Sequence, residues 1–458
     1  MNKDSHKITA IILASGKGER LKIETPKQFT KLAGYPVILH TLKSFHSSQY
    51  IDEIVIVTLK EYIEQTRNLC INHNITKPIK ILKGGSTRQR SSEIGINSCS
   101  KDTAYVLIHD AVRPFISLQI IKELVAKVKI HKCVDTIIPT ADTIVEINNK
   151  GFIKSIPNRT NLRRGQTPQA FEFNLIRKAH LNAKILSIKN ATDDCSLVLK
   201  LKKKVFTIPG DVQNIKITYP LDLELADKLF QLRSVSSKTK LSKKRIKLLK
   251  NKVFIIIGGT SGLGLAITNE LKQHGCKIYS LSRNTKPSIN ISNLRHVNKV
   301  FKNIYKREGK IDFIINSAGD MLNKNIEDTT VKDWDYIYDI NIKGPFNISK
   351  AAIPILKKQK SGELIFISSS SYTRGREGYA AYSSSKAALV NFCQALAEEL
   401  IDYNIKVNIL NPARANTPLR NRIFGKEDPK SLLKPEKVAA RIYDILFTEI
   451  TGSVFDIN

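Results

Sequence analysis

Two groups of residues have types and spacings suited to chemistry. In the C-terminal half, Tyr382 and Lys386 stand four residues apart, so on a helix they share one face. An ammonium beside a phenol favours the phenolate and lowers the tyrosine pKa from ~10. That makes Tyr382 an acid for reducing a ketone. Tyr372 and Tyr379 have no lysine four residues on. Upstream, Ser369 can hold the carbonyl oxygen, and Asn341 can support a water relay to Lys386. In the N-terminal half, Ala14-Ser15-Gly16-Lys17-Gly18-Glu19-Arg20 is followed by Pro26-Lys27-Gln28. Glycines at 16 and 18 let backbone N–H groups approach triphosphate oxygens. Arg20 and Lys27 place positive charge where it develops as an α-phosphate is attacked.

Each group has supporting positions. Gly84-Gly85-Ser86-Thr87-Arg88-Gln89-Arg90-Ser91 offers small residues and arginines for a base and its phosphates, with Gly84, Gly85, Arg88 and Ser91 the chief candidates. Asp110 ends an apolar run, at the carboxyl end of a strand where ligands sit in open α/β sheets; a carboxylate there can hold Mg²⁺ bridging phosphates. The neighbouring His109 reads more simply as a core histidine, and Asp193-Asp194 as an N-cap pair. Lys216 adds a late lysine. In the C-terminal half, Gly258-Gly259-Thr260-Ser261-Gly262-Leu263-Gly264 follows a strand-like run, as a dinucleotide loop does. Asn316-Ser317-Ala318-Gly319 follows another. Ser282-Arg283 stands where an NAD enzyme carries an acid for the ribose 2′-OH, and a guanidinium there suits the 2′-phosphate of NADP.

These residues need a scaffold, and the pattern between them supplies one. β-Branched runs at 9–14, 53–58, 79–82, 104–109 and 134–139 alternate with helical stretches. The expectation is an α/β fold with a mostly parallel sheet: a Rossmann-like nucleotidyltransferase sandwich. Residues 141–165 are polar and carry Asn148-Asn149-Lys150-Gly151 as a turn, which predicts a hairpin arm. Gln231–Asn251 holds eight basic residues and no acidic ones and reads as a solvated linker. Runs at 253–257, 277–281, 311–315, 363–368 and 405–410 then build a second, doubly wound parallel-sheet unit of the Rossmann type. The expected domains are 1–232, a basic linker at 233–250, and 251–458.

Composition bounds the remaining possibilities. A chain of 458 residues is too long for one ordinary core. The formal charge of +33 is spread over both halves, and with no nucleic-acid module in view it reads as sites for phosphates, not for a nucleic acid. Six cysteines without a CxxC pair fit a reduced, cytoplasmic compartment. No apolar run approaches the ~20 residues of a membrane span.

In combination, the N-terminal motifs resemble the 2-C-methyl-erythritol 4-phosphate cytidylyltransferase family, which includes ribitol 5-phosphate cytidylyltransferases. The resemblance covers residues 6–232 and implies that CTP reacts with a sugar-alcohol phosphate, releasing pyrophosphate. It implies Arg20 and Lys27 as the transition-state-stabilising pair, and Ala14, Ser15, Gly16 and Gly18 against CTP. It further implies Arg159 and Lys216 on the acceptor phosphate, and Thr143 reaching the acceptor from a neighbouring subunit's arm, hence a homodimer. The C-terminal constellation resembles the short-chain dehydrogenase/reductase family over residues 250–458, and implies NADPH as cofactor. There the loop 413–434 carries Arg414, Arg420 and Arg422, suited either to a substrate phosphate or to solvent. The domain order resembles a family that joins ribulose 5-phosphate reduction to CDP-ribitol synthesis for capsular polysaccharide. Its substrates would be ribulose 5-phosphate, ribitol 5-phosphate and CTP. The alternative is a methyl-erythritol phosphate cytidylyltransferase fused to an unrelated reductase.

Overall fold

The computed structural model describes residues 7–16, 18, 25–236, 246–448 and 450–457. Contacts divide the chain into two units, Met1–Ala226 and Asp227–Asn458. The division falls inside the helix Pro220–Ser236. Among the described residues no helix is long and apolar enough to cross a membrane.

The strands of the first unit are β1 (Lys7–Ala14), β2 (Lys31–Leu32), β3 (Tyr35–Pro36), β4 (Glu53–Thr58), β5 (Ile79–Lys83), β6 (Thr103–Asp110), β7 (Cys133–Pro139), β8 (Glu146–Ile147), β9 (Ile153–Ser155), β10 (Arg163–Glu172) and β11 (Phe206–Pro209). Seven form the main sheet in the order β11-β7-β10-β6-β1-β4-β5. All its pairings are parallel except those of β10, which runs antiparallel to both β6 and β7. β10 and β11 lie outside the strand runs expected from sequence. The pleat of β1 explains the layering: Ala10, Ile12 and Ala14 face one apolar cluster, and Ile11 and Leu13 the other. Helices cover both faces, so a continuous apolar run is buried on both sides. The expected arm forms at β8 and β9, paired antiparallel around the Asn148–Gly151 turn. Its stem differs from expectation, because Arg163–Gly165 pair with β7 in the main sheet.

In the second unit, β12 (Val253–Ile257), β13 (Lys277–Leu281), β14 (Phe313–Asn316), β15 (Gly362–Ile367), β16 (Ile405–Pro412) and β17 (Val454–Ile457) form an all-parallel sheet in the order β13-β12-β14-β15-β16-β17. β12 alternates as β1 does: Val253, Ile255 and Ile257 enter one core, Phe254 and Ile256 the other. The order reverses next to β12, which opens a crevice at the carboxyl ends of β12 and β14.

Candidate active sites

The glycine loop of the first unit is held by side chains. Gln28, which is buried, donates from Nε2 to the carbonyls of Ala14 at 2.6 Å and Gly16 at 3.1 Å. Gly18 has φ +77°, and a Cβ there would lie 3.3 Å from the Lys27 backbone nitrogen. The two pieces of the motif therefore meet because one clamps the other. Arg20, Lys17 and Glu19 lie outside the described residues. Ser15 Oγ meets Ser91 Oγ at 2.7 Å, and Ser91 Oγ also accepts from Gly85 N at 3.1 Å. This draws Gly84 and Gly85, just past β5, against the first loop, and a Cβ on Gly84 would collide with Ser15.

A cavity of about 650 Å³ opens at this junction, lined by both glycine segments together with Lys27, Arg88, Asp110 and Lys216. Asp110, the last residue of β6, is 7 % exposed. Lys216 Nζ lies 2.8 Å from its carboxylate, Arg88 Nε 3.4 Å and Arg113 Nε 3.9 Å. Burial alone would raise the Asp110 pKa, but the charges of Arg88, Lys216 and Arg113 override it and hold the group well below the usual carboxylate range. Arg88 is fixed from behind by buried Asp194 at 2.8 Å, and its buried Nη2 has no hydrogen-bond partner among the described residues. Asp194 also accepts from Ser92 and contacts His180. The capping expectation for the Asp193-Asp194 pair is corrected here. Asp193 accepts from Ser196 N, whereas the Asp194 side chain turns inward as the anchor of Arg88. Sequence carried one available signal of this, a charged pair ahead of a short apolar helix, but not its partner.

His109 is a core residue: its Nδ1 pairs with Thr167 Oγ1 at 3.1 Å and its Nε2 with Arg113 O at 3.1 Å, and burial lowers its pKa to about 4. Thr143 and Arg159 are not brought to the cavity; both are exposed on the arm, and Arg159 Nη1 donates to Ala141 O.

The cavity of the second unit, about 530 Å³, is lined by Gly258, Ser261, Gly262, Leu263, Arg283, Ala318, Gly319, Ser369, Tyr382 and Lys386. Gly258 has φ +75°, and a Cβ on it would lie 2.8 Å from Ala318 N. A Cβ on Gly264 would strike the Gly258 carbonyl, so the strand-to-helix turn closes tightly over the N-terminus of helix Gly262–Lys272. Gly259 packs beneath it, its carbonyl accepting from Thr268 Oγ1 at 3.2 Å. Asn316 ends β14 and accepts from Ala318 N at 3.2 Å, shaping the opposite wall.

Tyr382 and Lys386 occupy one face of helix Ala380–Leu400, both buried. Lys386 Nζ donates to Ile367 O at 3.0 Å and lies 5.8 Å from the Tyr382 ring centre; burial lowers its pKa to about 8. The expected lowering of the Tyr382 pKa is not what the structure gives. Burial raises it and the hydrogen bond with Ser369 opposes that. Asn341 is fully buried: Nδ2 donates to Asp320 O at 2.9 Å and Ser385 Oγ at 3.0 Å, and Oδ1 accepts from Asp320 N. A Cβ on Gly319 would lie 3.2 Å from Asn341 Oδ1 and 3.4 Å from Lys386 Nζ, so these three groups crowd one spot.

Comparison with known proteins accounts for both halves. Residues 8–232 match the 2-C-methyl-D-erythritol 4-phosphate cytidylyltransferase family, and residues 252–428 the short chain dehydrogenase family. The whole chain is 39 % identical to the bifunctional ribulose 5-phosphate reductase/CDP-ribitol pyrophosphorylase of Haemophilus influenzae, covering 96 % of that protein. The 2-C-methyl-D-erythritol 4-phosphate cytidylyltransferase of Clostridium botulinum (strain ATCC 19397 / Type A) is 38 % identical over 49 % of this chain and 98 % of its own length. Among solved structures, a 4-diphosphocytidyl-2C-methyl-D-erythritol synthase from Anaerococcus prevotii matches with TM-score 0.45 and 29 % identity, covering 50 % of this chain and all of its own.

Proposed function

Because the chain belongs to the family of bifunctional ribulose 5-phosphate reductase/CDP-ribitol pyrophosphorylases, we propose that it makes CDP-ribitol in two steps. Residues 251–458 reduce the C2 ketone of D-ribulose 5-phosphate, and residues 1–232 couple the resulting D-ribitol 5-phosphate to CTP. Residues 233–250 link them. The product feeds a ribitol-phosphate surface polysaccharide such as a capsule. The observation that carries this reading is identity along the full chain; the methyl-erythritol phosphate enzyme matches only the first half.

The crowded glycine turn and the helix N-terminus behind it fit a dinucleotide diphosphate, and the exposed Arg283 on the cavity wall suits a 2′-phosphate. NADPH, when bound, supplies the hydride to C2. Ser369 and Tyr382 hold the ketone oxygen, and Tyr382 gives it the proton. The phenol is protonated at neutral pH and so holds the proton to be given; burial raises its pKa, which makes it a weaker acid than the spacing alone predicted. Lys386 and Asn341 keep charge and hydrogen bonding at the base of the site.

In the first unit, Ala14, Ser15, Gly16, Gly18, Gly84, Gly85, Arg88 and Ser91 cradle CTP. Arg20 and Lys27 stabilise charge as the phosphate oxygen of ribitol 5-phosphate attacks the α-phosphorus and pyrophosphate departs. Asp110, ionised and buried, would be the residue to hold Mg²⁺, which would have to displace Lys216 or Arg88 from its carboxylate. Mg²⁺ there would offset phosphate charge. Lys216, which lines the cavity beside Asp110, takes the acceptor phosphate; its position on the cavity wall supports this. Thr143 and Arg159 act across a homodimer. The exposed Ile144, Val145, Ile147, Phe152, Ile153 and Ile156 make the arm an apolar surface that a second copy would cover.

The test follows NADPH oxidation and pyrophosphate release together. Release that needs NADPH, D-ribulose 5-phosphate and CTP at once is expected. Pyrophosphate from methyl-erythritol phosphate and CTP, with no NADPH consumed on the ketose phosphate, would overturn the reading.

A further inference from the structure

The loop arginines sort into two kinds. Arg420 pairs with Glu427 through Nη2 at 2.8 Å, and Arg422 pairs with Asp320. Both are committed within the protein. Arg414, on the same loop, and Arg376, ahead of the Tyr382 helix, also line the cavity. Among the described residues neither has a carboxylate at ion-pairing distance, and Arg376 makes only a long contact, 3.4 Å, with Ser370 Oγ. Arg376, Arg414 and Arg420 all act electrostatically on the Tyr379 hydroxyl, as does Glu427. Arg376 and Arg414 thus put two guanidiniums on the cavity wall without a carboxylate partner among the described residues, while the lining Asp320 is paired with Arg422; two such cations match a phosphate dianion.

Position narrows the choice of ligand. The Tyr379 ring lies 6.0 Å from that of Tyr382 and 5.9 Å from that of Phe424, over which the Arg420 guanidinium packs at 4.7 Å, and Arg376 reaches Ser370, next to Ser369, so these cations lie near the proton donor. In a 2-ketopentose 5-phosphate, five bonds separate the ketone carbon from phosphorus. At roughly 1.2 Å of reach per bond that is ~6 Å. The glycine turn and Arg283 line the same cavity, and a Cβ on Gly262 would lie 3.6 Å from Thr417 of the arginine-bearing loop, so that loop borders both the turn and the ketone.

We propose that Arg376 and Arg414 form the subsite for the terminal phosphate of the ketose, with Arg420 held by Glu427 as its fixed wall. This rests on the reading above that the ketone is a phosphorylated sugar. It makes these arginines determinants of specificity, setting the preference for a phosphorylated over a free ketose. The loop itself is anchored by a bridge between Ala415 and Leu433 and by Leu433 N donating to Arg414 O at 2.8 Å, so Arg414 is placed by backbone and not by chance.

The experiment uses the full chain with Arg376→Ala and Arg414→Ala combined. The ratio of kcat/KM for D-ribulose 5-phosphate over D-ribulose is expected to fall about 100-fold or more, since each charge-assisted hydrogen bond is worth roughly tenfold or better. Pyrophosphate release from supplied D-ribitol 5-phosphate and CTP reports that the chain is folded. An unchanged ratio, or a collapse produced instead by Arg422→Ala alone, overturns the proposal. A second arm needs no ketose: inorganic phosphate is titrated against the fluorescence of NADPH bound in the same cavity. A saturable response in the parent that the double variant lacks supports the subsite, even if the ketose assay sinks the substrate reading. The same response in both, or none in the parent, overturns it.

Discussion

The two cavities solve opposite electrostatic problems. In the first unit, charge is assembled in advance: one carboxylate, Asp110, sits among Arg88, Lys216 and Arg113, and Arg88 is braced by a second, Asp194. In the second unit the proposed reacting groups are a buried phenol and a buried amine that donates to a backbone carbonyl. The construction of the loops differs accordingly. Side chains of Gln28, Ser15 and Ser91 hold the first glycine loop, whereas the second is shaped by glycines packed on backbone. Transfer between polyanions needs cations whose positions are fixed by carboxylates. Hydride transfer to a neutral carbonyl needs a dry site and one proton.

The comparison can be broken by variants that ought to act on one side only. The largest effect is expected from Tyr382→Phe: ketose reduction should fall roughly 1,000-fold, with cytidylyl transfer to supplied D-ribitol 5-phosphate intact. Persistence of reduction would remove Tyr382 as the proton donor. Next, Asp110→Asn should cut cytidylyl transfer about 100-fold and leave NADPH oxidation alone; a loss confined to stability would make Asp110 purely structural. Third comes a pH contrast. With the Lys386 pKa lowered to about 8, its ammonium is present below that pH and lost above it. Reductase kcat/KM should therefore decline above pH 8, approaching tenfold per unit if the charge is required. Asp110 stays ionised far below that range. A flat reductase profile from pH 7 to 10 would count against a charged Lys386. The smallest change is expected from Gln28→Ala, which loosens the first loop and should raise the KM for CTP about tenfold, as losing buried hydrogen bonds costs ~1–3 kcal/mol. An unaltered KM would show that the loop keeps its shape without the clamp.

Much of this organisation was legible in the chain, for physical reasons. Strands buried on both faces are apolar runs, so β1, β4 and β12 announce themselves, and β16 shows itself by its β-branched residues flanking Lys406 and Asn408. β10 does not: Arg163–Glu172 contains Gly165, Pro168 and several polar residues, and its pairing with β7 shifts register between Gln166 and Ala170. β11 and β17 are four residues each, too short for a periodic signal. Glycine loops and the Tyr382–Lys386 spacing are local and can be read. The Asp194–Arg88 contact spans 106 positions, and the pairing of Arg422 with Asp320 spans 102, so neither leaves a trace in spacing. The direction of the Tyr382 pKa was also beyond sequence, because it is set first by burial.

The apolar arm around β8 and β9 has a consequence for how the two reactions scale. If Thr143 reaches the acceptor only in a paired molecule, specific cytidylyl-transfer activity will depend on protein concentration, while specific reductase activity in a self-contained second unit will not. Dilution would then uncouple the enzyme, and the polyol phosphate would accumulate ahead of its nucleotide derivative. Specific activities measured side by side across a dilution series would reveal this, and two parallel flat lines would remove the arm from the catalytic account.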